Sequence, residues 1–166
     1  MDFKIKSEIM TDINKINTIL NTDIFDSENI GHPLMESAFI DLIIKLRDLL
    51  YKSEKLGKRI NFKEDVTILK DSSGKEVVKD ITDAIKYVRD ATCHIDSPNH
   101  ILDKNIVFTF NIAYGKTNLA KINEILLTSD YNDDICFFYG EQKLYLKRHI
   151  IRAYEEAKNF LQPLMI

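Results

Sequence analysis

Apolar residues in the first twenty positions recur at helical spacing: Ile9, Ile13, Ile16 and Leu20 lie four, three and four apart. One helix over residues 3–20 follows from that period. A polar connector, NTDIFDSENIGHP, separates it from a longer helix over about 33–57, with Pro33 at the first helical position, where its missing N–H costs nothing. Met35, Phe39, Leu42, Leu46, Leu49 and Leu50 make its main stripe, and Ile40, Ile44 and Tyr51 make a narrower one roughly 100° round. A helix apolar on two sides must be covered on two sides. After Gly57, KRINFKEDVTILKDSSGKE reads as loop or extended chain with a turn at SSG. A third helix over about 76–93 faces Val77, Ile81, Ile85 and Val88 inward.

Past Pro98 the period changes from helical to alternating. Ile106, Phe108, Phe110, Ile112 and Tyr114 alternate with Val107, Thr109, Asn111 and Ala113, the pattern of a strand. ICFFY at 135–139, a YGEQ turn and KLYLK at 143–147 read as a hairpin that pairs with it. The last helix, over about 144–161, carries Leu146, Ile150, Ala153, Ala157 and Phe160 inward before Pro163. The expected fold class is mainly α. It is a single domain over 1–166, a bundle of four to five helices with a small antiparallel β ribbon inserted over about 105–147.

Composition narrows the class of function. The chain has 166 residues, enough for one core, and a net charge of −3, which argues against general coating of nucleic acid. No apolar run approaches the roughly 20 residues of a membrane span. The N-terminal MDFKIKSEIM lacks the apolar segment of a signal peptide, so the cytoplasm is the expected compartment. The two cysteines, Cys93 and Cys136, have no CxxC spacing; neither a disulfide framework nor a zinc site is expected, and no cofactor motif occurs.

The chemistry concentrates in YVRDATCHIDSPNH, residues 87–100. Arg89 sits on the flank of the buried stripe, and His94 follows five residues later. In an unbroken helix those five residues turn about 500°, leaving the two side chains about 140° apart. They share a substrate only if the helix loosens near Cys93, or if two copies meet across a symmetric interface. Arginine supplies a fixed cation with a planar fork for phosphate oxygens, and histidine moves protons near neutral pH. Asp90, one turn before His94, is placed to orient its imidazole. The alternative is a solvent-facing helix end with an Asp–His pair.

The RDATCH run, with a polar residue directly after the arginine near a helix end, resembles the R-x4-6-H motif of the HEPN superfamily. The resemblance covers residues 1–98 and about 144–162, and it implies a dimer of helical bundles. It also implies a metal-independent endoribonuclease, a toxin or anti-phage defence effector with RNA as substrate and a possible antitoxin partner. Arg89, Asp90 and His94 are then the catalytic residues, and the ribbon is a departure from a minimal bundle. A non-catalytic relative that binds a nucleotide or a protein is the second reading. KLYLKRH with Arg152 offers Lys147, Arg148 and Arg152 as substrate-binding cations, against the plainer reading of a charged outer helix face. SDYNDDI lacks EF-hand spacing and reads as a solvated loop, Cys93 as a helix-packed thiol, and His32 as a helix-start residue.

Overall fold

The computed structural model describes residues 1–63, 78–94, 96–103 and 105–165. Among them are four α-helices: α1 (Phe3–Leu20), α2 (Met35–Lys55), α3 (Ile81–Cys93) and α4 (Arg152–Leu161). Seven strands follow α3: β1 (Ile101–Leu102), β2 (Ile106–Val107), β3 (Asn111–Tyr114), β4 (Thr117–Ile122), β5 (Ile125–Ser129), β6 (Ile135–Tyr139) and β7 (Gln142–Tyr145). A π-helical turn, Leu146–Ile151, leads into α4.

The helices keep the faces that their sequences dictate. Ile9, Ile13 and Ile16 of α1 are buried against α2, which also packs on α3 and α4 and is the centre of the helical layer. Two ends differ from expectation for local reasons. His32 Nδ1 accepts the Leu34 N–H at 3.2 Å, so Pro33 belongs to a turn and α2 starts at Met35. At the other end Gly57 takes a left-handed φ of 94°, and Lys58 N–H bonds back to Ser53 O. The start of α3 is set by Asp80, whose carboxylate accepts Asp83 N–H at 2.8 Å. Arg59 grips Asp80 through two bonds, 2.7 and 2.9 Å, and also meets Asp83 and Glu54, tying the chain after α2 to the head of α3. The SSG turn and the expected helical positions 76–77 lie outside the described residues.

The mainly α bundle with an inserted ribbon is overturned. After the first three helices the chain builds an antiparallel sheet in the order β3-β6-β7, and the helices cover one face of it. Ile112, Phe137 and Leu144 stand in register across the three strands and join the helical core, with Ile135 and Tyr139. Ala113, Cys136 and Tyr145 stand in register on the opposite face. With Phe138 they pack under a second β layer, formed by the β4–β5 hairpin and the β1–β2 pair through Leu102, Leu127, Leu119, Ile122 and Ile125. The reason is the run ICFFY: every one of its residues is buried, so both faces of β6 need cover, and one helical layer covers only one.

The expected strand over 106–114 is also broken. Phe110 has a φ of 28°, the chain leaves strand geometry at 108–110, and Phe108 joins the second core while Phe110 and Ile112 join the first. Residues 144–145 finish β7 rather than opening the last helix. The second stripe of α2 is half covered: Ile40 and Ile44 are partly buried, whereas Tyr51 is exposed between Arg47 and Lys55. No helix among the described residues is long and apolar enough to cross a membrane.

A sheet filled on both faces predicts that neighbouring residues of one strand are equally costly to truncate. Phe137→Ala and Phe138→Ala should each lower unfolding free energy by about 3–5 kcal/mol in urea titrations. A loss below about 1 kcal/mol for Phe138→Ala would mean the outer face is not a core.

Candidate active site at the end of the third helix

Val88 and Ala91 hold the inner face of α3 in the core, which turns Arg89 to the flank, where its side chain keeps 34% exposure. The helix stops at Cys93. His94 takes φ −124° and ψ 106°, an extended conformation, while its N–H still closes the helix on Asp90 O at 3.2 Å. That single change of backbone region cancels the rotation separating the two side chains. Arg89 Nη1 lies 3.5 Å from His94 Nε2, and His94 is exposed.

Asp90 sits elsewhere than expected. Its Oδ1 accepts Arg89 Nη1 at 3.0 Å, so the carboxylate holds the arginine, not the imidazole. Because His94 itself is extended, its side chain leaves the helical direction, and the i,i+4 side-chain geometry with Asp90 is lost. Cys93 likewise turns out exposed rather than packed, because it lies about 200° round the helix from the buried Ala91. Thr92 Oγ1 donates to Arg89 O at 2.8 Å and lies 3.7 Å from Cys93 Sγ.

The chain after His94 folds back under α3. Ser97 N–H donates to His94 O at 2.9 Å, and Ser97 Oγ accepts Asn99 N–H at 3.3 Å, with Pro98 opening a short 3-10 turn. Asn99 Nδ2 then donates to Tyr87 O at 3.3 Å, and His100 Nε2 meets Ala91 O. Asn99 and His100 have no role assigned from the sequence; their signal is a polar Ser-Pro-Asn-His run soon after a helix, whose last carbonyls need donors.

The two charged patches that the sequence presents separately are each other's partners. Arg148 binds Asp133 at 2.8 Å and Asp134 at 3.0 Å and lies over the Tyr131 ring, and Lys147 Nζ donates to Asp133 O at 2.6 Å. Asp134 is fully buried and accepts N–H groups from Ile135, Lys147 and Arg148, which makes it the cap of the π-helical turn. Arg152 donates to Arg148 O, Asn61 O and Glu156. His149, from the same basic run, is buried, with Nδ1 accepting Tyr145 N–H. Lys147, Arg148 and Arg152 thus serve the start of the last helix. Lys147 and Arg148 meet Asp133 and Asp134 before β6, whereas Tyr139, at its far end about 13 Å along the strand, leads into the turn against Asn99. The structure does not bring these cations to Arg89.

Burial shapes the remaining titratable groups. The Cys136 thiol is pushed up to about 12 by burial, which makes it a packing residue, not a nucleophile. Tyr139 is raised by burial, with Glu36 and Cys93 adding to it. For Asp130, burial alone would raise the carboxyl, but bonds from Lys143 and Tyr145 outweigh it and hold it below the ordinary range. Asp133 is lowered by its bond from Arg148.

Both carboxyls are depressed in the folded state, so their contribution is present above the ordinary carboxylate value and is lost as pH falls through the folded one. The melting temperature should therefore drop as the pH falls below the ordinary carboxylate range, and Asp130→Asn should flatten part of that drop in a calorimetric pH series. An unchanged slope in Asp130→Asn would contradict the assignment. Comparison of the chain with protein-family models, with curated proteins and with solved structures finds no match.

Proposed function

We propose that the chain is a metal-independent endoribonuclease, working in the cytoplasm as a homodimer, as a toxin or anti-phage defence effector with an antitoxin or defence-system partner. The observation that carries the reading is the 3.5 Å approach of Arg89 Nη1 to His94 Nε2 at an exposed helix end. An arginine fork and an imidazole at that separation can address one phosphodiester: the guanidinium takes the non-bridging oxygens, the imidazole the 2′-hydroxyl. His94 accepts the 2′-OH proton, the O2′–P bond forms, and the P–O5′ bond breaks. The 5′ oxygen takes its proton from the imidazolium of the second copy, and a 2′,3′-cyclic phosphate remains. Arg89 acts by holding the charge of the phosphorane, a task for a preorganised cation.

The likeness to HEPN lies in Arg89, Asp90 and His94, and not in the layered fold around them. Asp90 tunes Arg89 by occupying one of its donors. That same pair supports the second reading, a module that binds a nucleotide or a protein without cutting, since a guanidinium already paired with a carboxylate is partly neutralised. The half-covered stripe of Ile40, Ile44 and Tyr51 on α2 supports self-association.

Purified protein with mixed RNA in EDTA should give cleavage. Arg89→Ala and His94→Ala should each slow it on the order of 10²-fold or more with unchanged melting, and Asp90→Asn should cost less. Metal dependence sinks the mechanism, no cleavage favours the binding module, and Ala variants that melt far below wild type make the stretch structural. Light scattering should give twice the chain mass; a monomer at working concentration contradicts the shared cleft.

A further inference from the structure

The bond from His94 N–H to Asp90 O ties the His94 backbone to α3, but His94 lies past the last helical residue, and its extended conformation is not set by the helix. What lies beneath is a strap, residues 97–101, clamped on both sides. On the helix side Asn99, buried, bonds Tyr87 O, and His100 bonds Ala91 O. On the sheet side His100 O accepts Phe108 N–H at 2.8 Å, and Phe108 O accepts Gly140 N–H at 2.7 Å. Gly140 is the first residue of the β6–β7 turn, with a φ of 53°. A methyl group added there would collide with Asn99 O and stand 3.2 Å from Ile101 O. The turn, the strap and the helix end therefore touch with no slack between them.

We propose that Asn99, His100 and Gly140 are positioning residues, which hold the end of α3 so that His94 returns to Arg89. This deepens the reading of Arg89 and His94 as the working pair and rests on it. The physical argument is one of connectivity. His94 O is bonded to Ser97 N–H, so a strap displaced from the helix carries the His94 backbone with it. A shift of about 1 Å at a reacting group is enough to cost orders of magnitude in rate. Gly140 matters twice over, for its left-handed φ and for its contact. Gly115 supplies the control: it has a φ of 74°, yet a methyl group there would meet only Asn132 O at 3.6 Å.

The test is NMR on protein labelled at histidine and arginine, read as Overhauser contacts between the His94 ring protons and the Arg89 side chain. Wild type and Gly115→Ala should show them. His100→Ala, Asn99→Ala and Gly140→Ala should lose them with the rest of the spectrum folded, and His100→Gln, which restores a donor to Ala91 O, should regain them. Contacts that persist in folded His100→Ala overturn the proposal, and so does a failure of His100→Gln to recover what His100→Ala lost. If Gly140→Ala does not fold, the two His100 variants still decide. In His100→Ala, Asn99→Ala and Gly140→Ala kcat for RNA cleavage should fall about tenfold or more with KM little changed. Wild type that shows the contacts but cuts nothing removes the ribonuclease reading and leaves the positioning role standing.

Discussion

A strand with apolar side chains on both faces has to be buried on both faces, and β6 imposes that constraint on the whole molecule. Ile135, Phe137 and Tyr139 draw the helical layer to one side; Cys136 and Phe138 draw the β4–β5 hairpin to the other. Phe39 on α2 packs tilted against Phe137 and stacked against Tyr139, with ring centroids 4.3 and 5.8 Å apart, which locks the central helix to the central strand. The two ends of β6 then take separate duties. Before its first residue, Asp134 caps the turn into the last helix; after its last, Gly140 seats the strap under α3.

This division explains why the two charged constellations of the sequence have different fates. The acidic and basic runs flank β6 and β7 and meet because those strands pair, so their charges are spent on each other. Arg89 and His94 belong to the other end, where no comparable counter-ion network surrounds them among the described residues. Asp90 is the one carboxylate seen on Arg89 among the described residues, in a part-exposed pair of the kind worth about 0–1 kcal/mol. A phosphodiester, whose one charge is shared by two non-bridging oxygens, competes with such a pair more easily than with the Arg148 bonds to the buried Asp134.

What the sequence discloses is what depends on near neighbours. The span 3–20 of α1 is legible because its period is local, and the end of α3 near Cys93 is foreshadowed by Pro98. The hairpin over 117–129 is missed because its short strands carry mixed polarity, Thr117, Asn118 and Lys121 beside Leu119 and Ile122, and its apolar side is meaningful only against β6. The split of the 106–114 strand at Phe110 is set by bonds from Phe108 to His100 and Gly140, partners 8 and 32 residues away that no period encodes. In the candidate site the residue types and their order are legible. The convergence is legible only as one of two alternatives, a helix that loosens near Cys93 or a symmetric interface, because the backbone of His94 decides between them. Asp90 choosing Arg89 is not legible at all.

The central claim is that Arg89 and His94 act on a phosphodiester through its own 2′-hydroxyl. The most direct measurement compares one oligoribonucleotide with its fully 2′-O-methylated counterpart, with the ends of any product identified by mass spectrometry. The account predicts that the unmodified strand yields 2′,3′-cyclic phosphate and 5′-hydroxyl ends, and that the methylated strand stays intact. Cleavage of the methylated strand, or 5′-phosphate ends from the unmodified one, would contradict it.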